Sequence, residues 1–331
     1  MMDRRTFNSG VAVGFVAVPL AIQAEQAANA FRIGVLSLAT VDNTTLATLM
    51  IEGLKRRGYV VGRSIEVAER VADGKVDRLP ALAAELVDLK VDLIFAGHTS
   101  AIRAARDITK TIPIVMAFSG DDPVENGFVA SLAHPGGNIT GVTTIVRDLV
   151  PKMIELLGDA VPRLITRVAV LTNPSRPEHV EYVRVAQAVR PQGMQLQVVE
   201  AGRPDQYDSA FAAMTQQHAE GLVILPDVVF TKDSGRLAEL ALLHRLPSIY
   251  VYKPFVIAGG LMAYGPDLYQ ALDLATQYVD KIIKGENPSE LPVQQPTRFM
   301  LAINLKTSKS LGLTLPRELL LRADVNDVIR Q

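Results

Sequence analysis

Cysteine is absent from the 331 residues. That excludes a disulfide framework, a thiolate metal site and a lipid-anchor cysteine. An excess of either charge is lacking too: 34 Lys and Arg stand against 35 Asp and Glu. The first thirty residues hold two bases (Arg4, Arg5) and two acids (Asp3, Glu25), so the rest keeps the same balance of −1. A near-neutral body offers no electrostatic footprint for DNA or RNA, and no nucleic-acid partner is expected. Long apolar runs are missing as well. The longest, residues 11–22, is about a dozen residues, too short for a membrane span. Catalytic signatures complete the absences: no G-x-S-x-G, no G-x-x-x-x-G-K-[ST], no H-E-x-x-H and no C-x-x-C occurs. His98, His134, His179, His218 and His244 lie far apart without metal-ligand spacing, and no acidic pair resembles a glycosidase dyad. The expectation is a protein that is not an enzyme, with no metal and no cofactor.

What is present begins with a targeting segment. Arg4-Arg5 precede the apolar run, and small residues follow it. Ala28-Asn29-Ala30 fits an A-x-A cleavage site, with Ala24 a second position. "DRRTFNSG" resembles a twin-arginine export signal, although no Ser or Thr stands before the arginines, so the route stays open between that system and general secretion. Residues 1–30 are read as an export signal and the mature chain as a soluble periplasmic protein. The alternative is a buried amphipathic first helix.

Beyond residue 30 the chain alternates strand and helix. "RIGVLS" is a short apolar run; residues 44–57 follow with Leu46, Leu49, Met50 and Leu54 on one helical face, stopped by Gly58. Residues 65–71, 91–96 and 112–118 read as further strands, with helices over 79–89 and 100–109 between them. The pattern restarts at "RVAVLTN" and runs through helices over 178–190, 207–218 and 235–245 and strands near Val198, at 221–225 and at 247–252. Such repetition implies parallel sheets with helices on both faces. The fold class is therefore α/β, with two doubly wound parallel-sheet lobes. "HPGGNITGVTT" is a turn-rich crossing between them, "GGLMAYG" a second strand-like crossing that leads into a helix over 266–284, and "NPSELPVQQP" a third. The lobes are expected to comprise residues 31–143 plus 266–290, and 144–265 plus 291–331. They are joined by a multi-stranded hinge near 141–144, 263–265 and 294–297.

In open parallel sheets, ligands collect at the carboxyl ends of the strands. Those ends here carry Ser37, the knot Gly97-His98-Thr99-Ser100, Phe118-Ser119, Asp122, Thr143, Asn173, Asp227, Tyr250 and Tyr264. Thr99 is expected as an N-cap worth about 1 kcal/mol. With Ser100 it also offers donors at a helix N-terminus, where an anion gains roughly 0.3–1 kcal/mol, up to about 2 when partly buried. No Arg or Lys lies in the knot, which favours a carboxylate over a phosphate. His98 either hydrogen-bonds the ligand or faces solvent. Phe118, Phe230, Tyr250, Tyr252 and Tyr264 either stack on a planar ligand or fill the sheet edge. Asp227 is either the acceptor for a ligand ammonium or the cap of the next helix.

"RIGVLS", "DRLPALAAELVDLKVDLI", "IPIVMAF", "DPVENGFVASLAHPGGNITGVT", "RVAVLTNP", "LVILPD", "LPSIYVY", "GGLMAYGPDL" and "FMLAINLKTSKSLGLTLP" occur in that order. Together they resemble the tryptophan/tyrosine-type ABC-transporter substrate-binding protein family over nearly all of residues 31–324. The resemblance implies a type I periplasmic binding protein. Its two lobes would close on a small carboxylate-bearing ligand (an amino acid, aromatic in many members) and deliver it to a membrane-embedded ABC permease. A periplasmic sensor that presents its ligand to a membrane receptor is the alternative. The family's common Gly-Thr-Pro-Ala is Gly97-His98-Thr99-Ser100 here, its Gly-Asp-Pro is Asp121-Asp122-Pro123, and its Arg-Glu-Phe is Lys253-Pro254-Phe255.

Overall fold

A computed structural model describes residues 30–40, 44–162, 164–323 and 328–329. The expected export signal lies, apart from Ala30, outside the described residues. Among them, no helix is long and apolar enough to cross a membrane.

The first lobe is a five-stranded sheet in the order β2-β1-β3-β4-β5, built from β1 (Phe31–Ser37), β2 (Ile65–Val71), β3 (Leu93–Gly97), β4 (Ile114–Ser119) and β5 (Ile139–Thr143). Every pair is parallel, and β3, β4 and β5 are buried along their whole length. Apolar surface therefore has to be covered on both faces. On one face lie α2 (Leu79–Asp88) and α3 (Thr99–Ile108), with Leu82, Leu86, Ile102 and Ala105 in the core. On the other lie α1 (Leu46–Arg56) and the distant α10 (Leu268–Ile283). α10 presents Ala271, Leu272, Ala275, Tyr278, Val279 and Ile282 as one helical stripe. Its start is set by Asp267, whose carboxylate accepts from the N–H groups of Tyr269 and Gln270. Leu291 and Val293 are also buried in this lobe's cores, so it continues past the expected boundary at 290.

The second lobe is a seven-stranded sheet in the order β12-β11-β10-β9-β8-β6-β7. Its strands are β6 (Arg167–Thr172), β7 (Gln195–Glu200), β8 (Gly221–Ile224), β9 (Ser248–Tyr250), β10 (Met262–Pro266), β11 (Phe299–Asn304) and β12 (Val328–Ile329). Helices α4 (Val150–Ala160) and α5 (Glu178–Val189) cover one face. The other is covered by α6 (Tyr207–Gln216), α7 (Val228–Lys232), α8 (Ser234–Leu243) and α9 (Pro254–Ile257). Two short helices, α11 (Leu305–Ser310) and α12 (Arg317–Arg322), finish the chain's helical structure. The sheet departs from a wholly parallel one at β10 and β11, which pair antiparallel from Met262↔Ile303 to Pro266↔Phe299. Connectivity explains it: β10 carries the chain out towards α10, and β11 carries it back.

The crossing segments are held side by side. Thr143 N–H donates to Gln294 O and Gln294 N–H to Gly141 O, both at 3.0 Å. Gly141 has φ of +124°, and a Cβ there would stand 2.4 Å from Met116 O. Only glycine fits that approach.

Candidate functional site

The carboxyl ends of the two sheets face each other across a closed cleft. The Tyr182 hydroxyl of α5 donates to Asp121 Oδ1 at 2.7 Å, and Arg147 Nη1 meets Glu125 Oε2 at 2.5 Å. Val228, at the start of α7, packs on the first lobe's Leu36, Ala96 and Met116 cluster.

The first lobe's wall is the end of β3. Gly97 is crowded, since a Cβ there would lie 2.8 Å from Leu46 Cδ2. His98 then adopts φ of +75°, a conformation that costs a non-glycine residue free energy and is tolerated where the surroundings impose it. Its N–H donates to Phe118 O at 3.1 Å, its carbonyl accepts from Ala101 and Ile102, and its ring meets Phe118 edge-on at 4.7 Å. The cap position is thus His98, one residue earlier than expected, and it makes no side-chain cap bond. Thr99 is instead the first helical residue, its hydroxyl 3.2 Å from Ser119 Oγ. Ser119 Oγ donates to Asp121 O, while the Thr143 and Thr144 hydroxyls reach Ser119 O. Thr99, Ser119 and Thr143 therefore use their hydroxyls to fix the loop 119–122. Asp122 likewise caps the next turn through Val124 N–H at 2.8 Å.

Three polar atoms at this sheet edge are buried without a hydrogen-bond partner: Ser37 Oγ, His98 Nδ1 and Ser100 Oγ. Ser37 stands in register with Gly97, next to the knot. Buried orphans cost free energy, and three of them gather at one helix N-terminus. Burial, then the positive charge of Arg176, push His98 down to about 4. The imidazole is neutral at pH 7.

The second lobe's wall joins the ends of β6 and β8. Asp227 Oδ1 accepts from Val229 N–H at 2.7 Å and Phe230 N–H at 3.2 Å. Its Oδ2 accepts from Asn173 Nδ2 at 3.2 Å and Arg176 Nε at 2.7 Å. With a fully buried side chain and all its lone pairs committed, Asp227 is not available to a ligand ammonium. The capping alternative, plus an ion pair, accounts for it. His179 ties the two turns together: its Nδ1 accepts from Asn173 N–H at 3.0 Å, which leaves Nε2–H to donate to Pro226 O at 3.2 Å. Burial lowers His179 too. Glu178 is raised, by burial first and then by Asp121 and Asp227 acting against the opposing charge of Arg176.

The aromatic expectations divide. Tyr250 is fully buried in the core under α6 and α8, stacked on Phe255 at 4.4 Å, its hydroxyl on Ser248 Oγ. It does not reach the cleft: with Ser248, two residues before it, it points into the core under α6 and α8. Phe230 is in the same core against Tyr207. Tyr264 stacks on Phe299 beside the crossing strands. Tyr252, two residues beyond Tyr250, packs on the opposite core, and burial and then Asp121 across the cleft raise its phenol to about 12. Arg176 and Tyr182 are cleft residues that sequence reading did not single out, and His179 it read as a histidine without a role. His179, Tyr182 and Ala186 form a buried helical stripe that reads as core, and Arg176 follows a turn with no periodic signal. Among the described residues, no group of three or more acidic or histidine side chains could hold a metal.

Comparison with known proteins bears on family and fold. A tyrosine-binding protein of Clostridioides difficile is 26% identical over 265 residues, covering 80% of this chain and 75% of that protein. The structure of an ABC domain in complex with L-Trp from Streptococcus pneumonia superposes with a TM-score of 0.79 at 21% identity, over 91% of this chain and all of that one. A ligand-free, open substrate binding protein from Clostridium difficile gives 0.67 at 22% identity, over 90% and 98% of the two chains. The sequence model for ABC transporter substrate binding proteins matches residues 38–326. By that match across most of its length, the chain belongs to the ABC transporter substrate binding protein family.

Proposed function

We propose that this chain is the exported binding protein of an ABC importer. Its lobes close on a small carboxylate-bearing ligand, an amino acid of the aromatic class, and deliver it to a membrane permease. One observation carries the reading: the unpartnered Ser37, His98 and Ser100 polar atoms, buried together at the N-terminus of α3. The hydroxyls and the free helix N–H groups are donors, and in its Nδ1–H tautomer so is the neutral His98 ring; a carboxylate accepts from all of them. Leaving such groups unsatisfied costs about 1–3 kcal/mol each, so a ligand that satisfies them gains that much differential affinity for the closed form. The tyrosine- and Trp-binding relatives support an aromatic amino acid; Phe118 itself is buried in the first lobe's core beneath the His98 ring.

A thermal-shift screen of the mature protein against the amino acids and their des-amino acids tests this. An aromatic carboxylate is expected to raise Tm by several degrees, since a ligand at about 100 times its Kd adds about 2.7 kcal/mol. No response to any carboxylate would refute the reading. Export follows from the same proposal: mass spectrometry of the periplasmic fraction should find a chain beginning after Ala24 or Ala30. An intact Met1 on a cytosolic protein would contradict it.

A further inference from the structure

Arg176 lies on the turn between β6 and α5, with its side chain only 10% exposed. Its Nε is committed to Asp227 at 2.7 Å. Its other contact is Nη1 at 3.9 Å from Glu178 Oε1, too long for a hydrogen bond. The terminal edge of the guanidinium thus keeps its donors while the stem is fixed. Asp227 orients it, and His179 locks the turns that carry both. That rigid mounting differs from a surface arginine, which would have to lose side-chain freedom to grip anything.

The position of this edge is set by neighbours on the same segment. Six residues on, Tyr182 hydrogen-bonds Asp121 of the opposite lobe. One residue beyond Asp227, Val228 packs on the first lobe. The turn carrying Arg176 therefore closes onto the strand ends that hold Ser37 and His98. Arg176 is also the charge that most strongly opposes protonation of His98. Asp227, its ion-pair partner, acts on His98 in the opposite sense, and Arg176 is the larger of the two.

We infer that Arg176 is a ligand-binding residue, the second jaw of a carboxylate clamp. One ligand carboxylate is held between the N-terminus of α3, with Ser37, His98 and Ser100, and the free edge of the Arg176 guanidinium. This inference rests on the proposed function and names the group that couples recognition to closure. Arg and carboxylate pair through two parallel N–H···O bonds, a geometry that neither an amide nor an ammonium reproduces. Because the two jaws belong to different lobes, the anion obtains its full set of donors only when the lobes meet. Binding energy for the carboxylate is then differential binding for the closed form.

The test compares L-tyrosine with L-tyrosinamide by calorimetric titration of the mature full-length chain. The two differ only at the carboxylate. Wild-type protein is expected to prefer tyrosine by at least about a hundredfold. Removing Arg176 alone would leave Asp227 buried and unpaired, so the main variant is Arg176→Gln with Asp227→Asn, which deletes both charges. It should weaken tyrosine binding at least about tenfold and shrink the tyrosine-to-tyrosinamide ratio by a similar factor. A purely structural role would lower both affinities and leave the ratio alone. Arg176→Lys keeps a charge for Asp227 but loses the fork, and should shrink the ratio severalfold even if the double variant folds poorly. An unchanged ratio in both variants overturns the assignment to Arg176 while leaving the cleft intact. Wild-type protein that binds neither compound, or binds tyrosinamide as well as tyrosine, overturns the carboxylate clamp at its root.

Discussion

Asp227→Asn isolates what the buried ion pair does. The asparagine side chain can still cap α7, because its carbonyl oxygen can accept from Val229 and Phe230, and Asn is as good a cap as Asp. The loss falls on the other oxygen. It now accepts from Asn173 Nδ2 and Arg176 Nε, and in the variant an NH2 group would face those two donors. Arg176 would keep its charge with 10% exposure and no counter-charge in hydrogen-bond contact. Removing one partner of a buried pair typically costs about 3–5 kcal/mol. The expected loss is therefore about 3 kcal/mol in a urea titration, seen as a lower midpoint at unchanged slope. Adding Arg176→Gln should recover most of it, since deleting both partners removes the uncompensated charge. A loss below about 1 kcal/mol, or a double variant no more stable than the single one, would refute this account of Asp227.

Three further outcomes follow from the same contacts. Gly141→Ala places a methyl against Met116 O and N at 2.4 and 2.6 Å with φ at +124°, and should cost at least about 2 kcal/mol by thermal or chemical unfolding. His98, lowered from 6.5 to about 4, resists protonation only while buried. Its contribution to the closed form is complete above about pH 6.5 and is lost as pH falls towards 4, a span of about 3 kcal/mol. Stability measured across that window should fall in the wild type and flatten in His98→Gln; parallel curves would argue against it. Tyr182→Phe removes the hydroxyl bond to Asp121 and should shift the ligand-free chain towards an open form. A bond to a charged group contributes about 1.5–3 kcal/mol, enough to enlarge the radius of gyration in solution scattering; an unchanged radius would contradict the latch.

The alternation of apolar strands and amphipathic helices carried most of the fold, because both faces of a parallel sheet must be buried and the periods of 2 and 3.6 record it. β3 and β4 are legible for that reason, and so is α10 with its stripe of small and apolar residues. The strand at β11 was legible, but its antiparallel direction was not, since direction depends on which lobe the chain comes from and not on local composition. The lobe-1 knot was found because strand ends in such folds are predictable places, and Ser37, His98 and Ser100 do stand there with unpartnered atoms. Hydroxyls alone could not be sorted. Thr99, Ser119 and Thr143 satisfy one another and the backbone, which only coordinates reveal. Tyr250 and Tyr252 differ by their neighbours: one meets Ser248 and Phe255 in the core, the other the charge of Asp121. Arg176 escaped notice because its role arises from Asp227, 51 residues away in sequence.

The most direct test of the central claim is a crystal structure of the mature protein grown with L-tyrosine. The ligand carboxylate should lie about 2.7–3.2 Å from the Ser100 hydroxyl and from donors at the start of α3, on the side facing Arg176. A tyrosine bound elsewhere, or one whose carboxylate points away from α3 into solvent, would contradict the account.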